Sequence, residues 1–196
     1  MSAFRSDLRF DGRYDLGVEE GSASASVGRR FGDLFTLRLD GGAIVGGELQ
    51  QDGARYHVDP GWVVSATIAR KWFGDPGDLF FFATTLTVGV SAANTQGENG
   101  VGDGSRPLLV AQDNRLGAVL GHVFGGVWSP YVAARAFGGP VFWRFDGHDV
   151  TGTDRHHYTI GLGGNLTVGD FDVSAEGAFF GERSLSIGVS HSFWDR

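Results

Sequence analysis

Residues 5–18 read RSDLRFDGRYDLGV, a run in which charged and apolar side chains alternate. Successive side chains of a β-strand point to opposite faces, so this run predicts a strand with one charged face and one largely apolar face. At about 3.3 Å per residue the run would extend roughly 50 Å, which is longer than most strands of soluble proteins. A strand tilted near 45° needs only about 9 to 11 residues to cross a bilayer core. A membrane barrel is therefore the first hypothesis.

The composition is compatible with this hypothesis and excludes several other classes. The chain has 196 residues, with 33 glycines, no cysteine and a net charge of −7. Its length fits one domain over residues 1–196, and no apolar stretch approaches the roughly 18 residues of a membrane helix. The lack of cysteine excludes disulfides and thiolate metal sites, and the acidic balance argues against a nucleic-acid partner. A β-barrel remains possible, because only its outward face has to be apolar.

The same alternation recurs along the whole chain. Clear runs occur at 34–49, 62–73, 79–92, 157–168, 171–180 and 184–194, and weaker runs at 22–31, 114–125 and 129–145. Short turns and longer polar links alternate between these runs, as in a barrel with tight turns at one end and loops at the other. No helical periodicity competes with them. The sequence therefore predicts an all-β fold, an antiparallel up-and-down transmembrane β-barrel of about ten strands.

Alternation alone does not separate a membrane barrel from a soluble β protein, in which the apolar face is inside. Three further features favour the membrane barrel. Aromatic residues gather near the predicted strand ends, as in interfacial girdles. The polar faces are rich in Gly, Ser and Thr with charges of both signs, which suits a crowded lumen. The alternation of short and long links fits a simple meander. We therefore expect a location in the bacterial outer membrane, in contact with the lipid bilayer and lipopolysaccharide.

The charged face of the first run has two interpretations. Alternate residues on one face lie about 7 Å apart, so these charges can pair along the strand and with neighbouring strands. Because about eight strands leave almost no channel, the favoured interpretation is a salt-bridged plug of the lumen. A narrow polar conduit for ions is the alternative. The predicted lumen salt-bridge ladder consists of Arg5, Asp7, Arg9, Asp11, Arg13, Asp15, Arg38 and Asp40.

The C-terminal part of the chain resembles the closing strands of bacterial outer-membrane barrels, and most closely those of the autotransporter translocator domain. The resemblance covers 115–194 and includes YTIGLGGNL at 158–166 and SLSIGV at 184–189. In such proteins the final strand, with alternating apolar residues and an aromatic end, is the signal for the barrel-assembly machinery. The resemblance implies that role for Leu185, Ile187, Val189 and Phe193.

Sites for catalysis or metal binding have little support in the sequence. His156 and His157 could form a metal site or an acid–base pair at the rim, but adjacent residues of a strand point in opposite directions. An exposed polar loop explains them better. The triplet at 190–192, Ser-His-Ser, is the only local similarity to lipid-modifying enzymes, and the Rossmann, Walker and zincin patterns are missing. We expect no cofactor and no metal.

These observations predict a non-enzymatic outer-membrane protein that serves as a structural anchor, a surface-interaction protein or a subunit of an envelope complex. One alternative is a narrow channel or an autotransporter-like translocator. Another is a rim-active outer-membrane enzyme, either lipid-modifying or a protease. Because binding on barrels is concentrated in loops held by a rigid scaffold, we expect an envelope partner to contact loops 93–112 and 146–155.

Overall fold

The computed structural model describes residues 1–32, 34–51, 53–74, 79–98, 104–145 and 148–191, and this part of the chain is built from β-strands. Thirteen strands form one antiparallel up-and-down sheet. No helix of the described residues is long and apolar enough to cross a membrane. The strands are β1 (Ser2–Phe10), β2 (Tyr14–Phe31), β3 (Phe35–Gln51), β4 (Ala54–Val58), β5 (Gly61–Phe73), β6 (Phe80–Gly97), β7 (Leu108–His122), β8 (Trp128–Gly138), β9 (Val141–Phe145), β10 (His148–Asp154), β11 (Tyr158–Val168), β12 (Phe171–Phe179) and β13 (Arg183–His191).

The alternating run at 5–18 is a hairpin, so the single long strand predicted from the sequence was wrong. β1 ends at Phe10 and β2 begins at Tyr14. Between them, Asp11 and Gly12 have φ angles of 48° and 66°. Two successive residues with positive φ form a turn whose twist matches that of the flanking strands, and Asp-Gly is a favoured pair for it. The turn preserves the alternation of side chains, which is why the run looked continuous.

Backbone pairing closes the sheet into a ring. Residues 2–5 of β1 pair with residues 183–186 of β13, so the first and last strands are neighbours. The ring passes through ten strands: β1, β2, β3, β5, β6, β7, β8, β11, β12 and β13. Following paired residues once around the ring returns to β1 about 12 residues from the starting point, the kind of stagger that a closed, tilted sheet requires.

The short strands β4, β9 and β10 lie outside this ring of ten. They bring the count to thirteen, above the approximately ten strands expected from the sequence. β4 and β5 pair with successive parts of β3, and β8 and β9 with successive parts of β7. Pro60 separates the first two and Pro140 the second two. Proline has no N–H to contribute to a ladder, so each site interrupts what would otherwise be one long strand.

The links predicted at 93–112 and 146–155 are largely strand rather than loop. β6 continues to Gly97, β7 starts at Leu108, and β10 starts at His148. At this end of the sheet, a smaller ring runs through eight strands: β1, β2, β3, β4, β6, β7, β9 and β10. The ring narrows from ten strands to eight because β12 and β13 do not extend to this end of the sheet. Here β10 pairs with residues 8–10 of β1, whereas β13 pairs with residues 2–5.

The apolar side of the strands changes between the two ends of the sheet. In the narrow part, apolar side chains fill the inside, and this cluster is called the apolar cap. Its buried members are Leu8, Phe10, Leu16, Val18, Ile44, Leu49, Tyr56, Val58, Ala93, Leu109, Val141, Trp143 and Val150. In the wide part, exposed apolar side chains form an outer surface called the apolar belt. It includes Val64, Ile68, Leu86, Leu116, Leu120, Ile160, Leu162, Leu185 and Ile187.

The end of the sheet opposite the cap, where β2 meets β3, β7 meets β8 and β11 meets β12, is called the turn end. Near it, the ring is open between β2 and β13. β2 has 18 residues and β1 only 9, so residues 23–31 pair with β3 alone within the described part of the chain. Val27 and Val189, on the two sides of this opening, are 71% and 69% exposed. Each open edge leaves alternate backbone N–H and C=O groups without a ladder partner.

Candidate functional site

Charged side chains that are buried or partly buried form an ion-pair layer inside the ring, next to the apolar cap. Asp113 and Arg115 follow the cap residue Leu109 along the inward face of β7. The Nη1 and Nη2 groups of Arg115 donate to the two carboxylate oxygens of Glu182 at 2.9 and 2.6 Å, and its Nε donates to Asp113 at 2.6 Å. Glu182 is only 5% exposed. Paired hydrogen bonds between charged groups are among the stronger polar contacts in proteins.

A second pair extends this layer across β8, β11 and β12. Arg135 donates to the two oxygens of Glu176 at 2.5 and 2.7 Å. On the intervening strand, the buried Thr159 hydroxyl donates to the carbonyls of Phe179 and Glu182. The turn between β12 and β13 is thereby held against the inside of the wall. Both guanidinium groups of the layer are already occupied by carboxylates, so its evident role is to brace the ring.

The apolar cap contains a polar contact of its own. The Trp143 ring lies edge-on to Tyr56, with centroids 5.0 Å apart, and 6.0 Å from the ring of Phe10. Its indole N–H donates to the Thr95 hydroxyl at 2.8 Å, and that hydroxyl donates to the Pro107 carbonyl at 3.2 Å. The only indole N–H in the cap is therefore satisfied, and aromatic rings meet across the middle of the narrow ring.

Two acidic groups close to the cap, Asp154 and Glu20, have a pKa above the usual value. Burial raises the pKa of Asp154, and the charges of Asp113 and Glu182 add to this effect. A hydrogen bond from the Ser6 hydroxyl, at 2.9 Å, acts in the opposite direction. Burial also raises the pKa of Glu20 to about 7. At these two positions, burial thus disfavours the charged carboxylate.

The charges of the first run face outward, which corrects their predicted position on an inner wall. Along β1 and β2 it is the apolar side chains that point inward, because they form part of the cap. Arg9 donates to both oxygens of Asp15 at 2.7 and 3.2 Å, which lowers the pKa of Asp15, and Arg5 pairs with Glu19 at 2.9 Å. The run's charged positions are divided between β1, the turn and β2: Arg5, Asp7 and Arg9; Asp11 and Arg13; and Asp15.

Arg38 and Asp40, the other two members of the predicted ladder, lie on β3 and contact each other. Arg38 Nε donates to Asp40 at 3.1 Å, and the Ser65 hydroxyl donates to the same carboxylate oxygen at 3.4 Å. Leu37 and Leu39, which alternate with them, are exposed on the belt. The pair therefore faces the inside of the ring, although separately from the charges of the first hairpin.

The residues of the predicted assembly signal lie on the last described strand. Leu185, Ile187 and Val189 are 60%, 56% and 69% exposed on the outer face of β13. Phe193 lies outside the described residues. Their placement on the belt agrees with alternating apolar positions, and their role in assembly stays a prediction.

Three of the histidines contact backbone or aromatic groups. Within the described ranges, no group of three or more His, Cys, Asp or Glu residues could hold a metal ion. His157 Nδ1 lies 3.3 Å from the Phe137 carbonyl, and the ring of His122 lies between Phe80 and Phe124. His191 contacts the Phe171 ring, with centroids 4.7 Å apart. These contacts suit structural roles at strand ends.

Three residues of the ion-pair layer, Arg115, Arg135 and Glu182, were not predicted from the sequence. Alternation along 114–125 and 129–145 could have placed Arg115 and Arg135 on polar faces. It could not identify Glu182 as a partner, because Glu182 lies in a turn 67 residues away from Arg115. Trp143 was missed for the same reason, since its contacts join strands far apart in the chain.

No protein-family model and no curated protein matches this chain. The resemblance of residues 115–194 to autotransporter translocator domains therefore stays a prediction from the sequence.

Proposed function

We propose that this chain is a ten-stranded barrel that spans the bacterial outer membrane and serves as a non-enzymatic anchor or surface-interaction protein with a sealed lumen. The observation that carries this proposal is the reversal of polarity along the same strands. Around the wide part the apolar side chains face outward and ion pairs face inward, as a bilayer requires. In the cap, apolar side chains face inward and charges face outward, as water requires.

The dimensions of the belt support this proposal. On β11, outward residues run from Tyr158 to Val168 without a charged side chain among them. Eleven residues of a strand tilted by about 40° span roughly 25 Å, close to the apolar band of outer-membrane barrels. The stagger of about 12 residues over ten strands corresponds to a tilt of about 40°. Aromatic residues border the band at both ends, among them Trp72 at the turn end and Tyr158 near the cap.

A sealed lumen favours an anchor over a channel. The cap fills the narrow ring with buried side chains, of which Phe10, Leu16, Leu49 and Val58 are at most 2% exposed. Below the cap, the ion-pair layer links the inward faces of neighbouring strands from β7 to the turn after β12. An apolar core next to charges that are paired with one another offers no continuous polar path along the axis of the ring.

The experiment that tests the membrane assignment is refolding with and without detergent. In micelles, we expect a monomer that migrates differently on gels before and after boiling, because a closed barrel resists dodecyl sulfate until heated. Without detergent, we expect aggregation, since the belt exposes a continuous apolar surface. A monodisperse monomer that is folded in plain buffer would contradict the proposal.

A partner at the cap end is part of the same proposal. Within the predicted links 93–112 and 146–155, the described parts of β6, β7 and β10 belong to the narrow ring around the cap, and the outer face of the first hairpin presents alternating charges on the same ring. Because Ala93 and Leu109 belong to the cap, only the part between β6 and β7 can be replaced without loss of core. Replacing residues 99–103 by a Gly-Ser linker should keep the heat-modifiable fold and abolish pull-down of the partner. Retained binding would remove this segment from the interface.

A further inference from the structure

Two arginines point outward from the apolar belt near the turn end. Arg70 lies on the same face of β5 as Ile68 and Trp72, which are 51% and 50% exposed. Arg29 lies on the same face of β2 as the exposed Phe31. Both arginines therefore lie on the lipid-facing side of the proposed barrel. Charged residues in such positions are costly unless they reach a polar partner at the membrane surface.

Aromatic rings hold both guanidinium groups against the wall. The Cζ atom of Arg70 lies 3.8 Å from the centroid of the Trp72 ring and 5.4 Å from that of Phe35. The Cζ atom of Arg29 lies 5.3 Å from the centroid of the Phe31 ring. Phe31 and Phe35 are paired across β2 and β3, so the two arginines flank one aromatic surface. Stacking orders a guanidinium group while leaving its N–H edge available.

These two charges lack acidic partners among the residues that the structure describes. Neither arginine forms an ion pair there, and the buried Nε of Arg70 has no hydrogen-bond acceptor. Outward arginines near the cap differ, since Arg5 pairs with Glu19 and Arg144 with Asp149. Among the described residues, the turn end thus presents two unpaired arginines in an aromatic girdle, whereas these outward arginines near the cap are paired with carboxylates.

We propose that Arg29 and Arg70 bind the phosphate of an anionic glycerophospholipid headgroup in the leaflet at the turn end. This inference rests on the proposed membrane location. A phosphodiester offers the acceptor oxygens that the N–H edges lack, and guanidinium groups bind phosphate with matched geometry. The acyl chains of the same lipid would lie along the neighbouring belt residues Leu37 and Ile68, both of which are exposed. Charge complementarity favours phosphatidylglycerol over the zwitterionic phosphatidylcholine.

The test is native mass spectrometry of the refolded chain in micelles that contain equal amounts of phosphatidylglycerol and phosphatidylcholine of the same acyl length. We expect about fivefold more phosphatidylglycerol adduct, the order expected for partly exposed charge pairs. The variant Arg29→Gln/Arg70→Gln should lose that preference. The matched control, Arg5→Gln/Arg144→Gln, removes two outward arginines at the cap end and should retain it. Each protein is also tested for heat-modifiable migration and for insertion into vesicles.

The outcomes separate this inference from the membrane proposal. A wild-type chain that inserts into vesicles but shows no preference for phosphatidylglycerol overturns the headgroup site and leaves the barrel intact. Equal loss of preference in the control variant also overturns it, because the effect would then follow net charge. A wild-type chain that does not insert overturns both proposals. If the double variant does not fold, the same measurement is made on Arg70→Lys. This variant keeps the charge but lacks the planar, stacked donor, so its preference for phosphatidylglycerol should be lower than that of the wild-type chain.

Discussion

Glu20 shows how a single carboxyl group responds to its position next to the apolar cap. It lies on the inward face of β2, two residues beyond the cap residue Val18. Its outward neighbour Glu19 is exposed and paired with Arg5, so this part of β2 lies outside the belt. Burial raises the pKa of Glu20 from 4.5 to about 7. The folded chain therefore holds a proton at this position in a pH range in which the unfolded chain has lost it.

The variant Glu20→Gln should remove a pH-dependent loss of stability. Between pH 4.5 and 7 the folded state binds more protons than the unfolded state, so the free energy of unfolding falls as pH rises through this range and levels off above it. At pH 8 the variant should be more stable than wild type by about 3 kcal/mol, and at pH 4 the two should be equal. Urea unfolding in micelles at a series of pH values measures both. A difference that does not vary with pH would contradict the assignment.

The ion-pair layer makes a second prediction for a single residue. Glu182→Ala leaves the Arg115 guanidinium with Asp113 as its remaining acidic partner. Breaking a buried pair on one side is strongly destabilising, and we expect a loss of about 3 kcal/mol in urea unfolding. The matched control is Glu19→Ala, which removes an exposed partner of Arg5 and should cost less than about 1 kcal/mol. Equal effects of the two variants would show that the layer does not brace the ring.

At the scale of elements, strands that are flanked on both sides differ from strands with an open edge. Residues 35–44 of β3 pair with β2 on one side and with β5 on the other. Residues 23–31 of β2 pair with β3 but have no described strand on their other side. In a bilayer, unpaired backbone groups are costly, so this opening is the weakest part of the proposed barrel wall.

Hydrogen exchange in micelles should show this asymmetry. Every second amide of residues 23–31 points away from β3, and we expect these amides to exchange at least tenfold faster than those of residues 35–44. The amides of residues 17–21, which lie between β1 and β3, are the internal control and should be protected. Uniform protection along the whole of β2 would mean that the opening is closed in solution.

At the scale of the whole molecule, two rings of different size share their strands. The ten-stranded part surrounds an interior braced by ion pairs, and the eight-stranded part surrounds the apolar cap. Narrowing lets apolar side chains from opposite walls meet, as the rings of Tyr56 and Trp143 do at 5.0 Å. We therefore expect the same change of strand number to seal the lumen.

Planar-bilayer recordings test the seal. The wild-type chain should show no steady conductance, because the cap and the ion-pair layer lie in series along the axis. The variant Phe10→Ala/Trp143→Ala removes two rings from the cap and should produce brief openings. The control Trp62→Ala/Phe142→Ala removes two outward-facing rings that are about half exposed, and it should stay silent. Steady conductance of the wild-type chain would favour the narrow-channel alternative.

The sequence by itself determined most of the strands, because alternation is a local property that each run displays independently of its neighbours. The runs at 157–168, 171–180 and 184–194 correspond to β11, β12 and β13 within a few residues. Alternation also showed that each strand has two unlike faces. Alternation did not reveal the tight turn at Asp11 and Gly12, because the pattern continues across this change of chain direction.

Only the tertiary structure decided which face is inside, and this differs between the two ends. A period of two is the same whether the apolar side meets lipid outside or a packed core inside, so no single run contains that information. The partners of Arg115 and Trp143 likewise depend on the register and stagger of strands far apart in sequence. The ladder of residues 5–18 is therefore an outer surface over a core, since the ring narrows at its level and fills with apolar side chains.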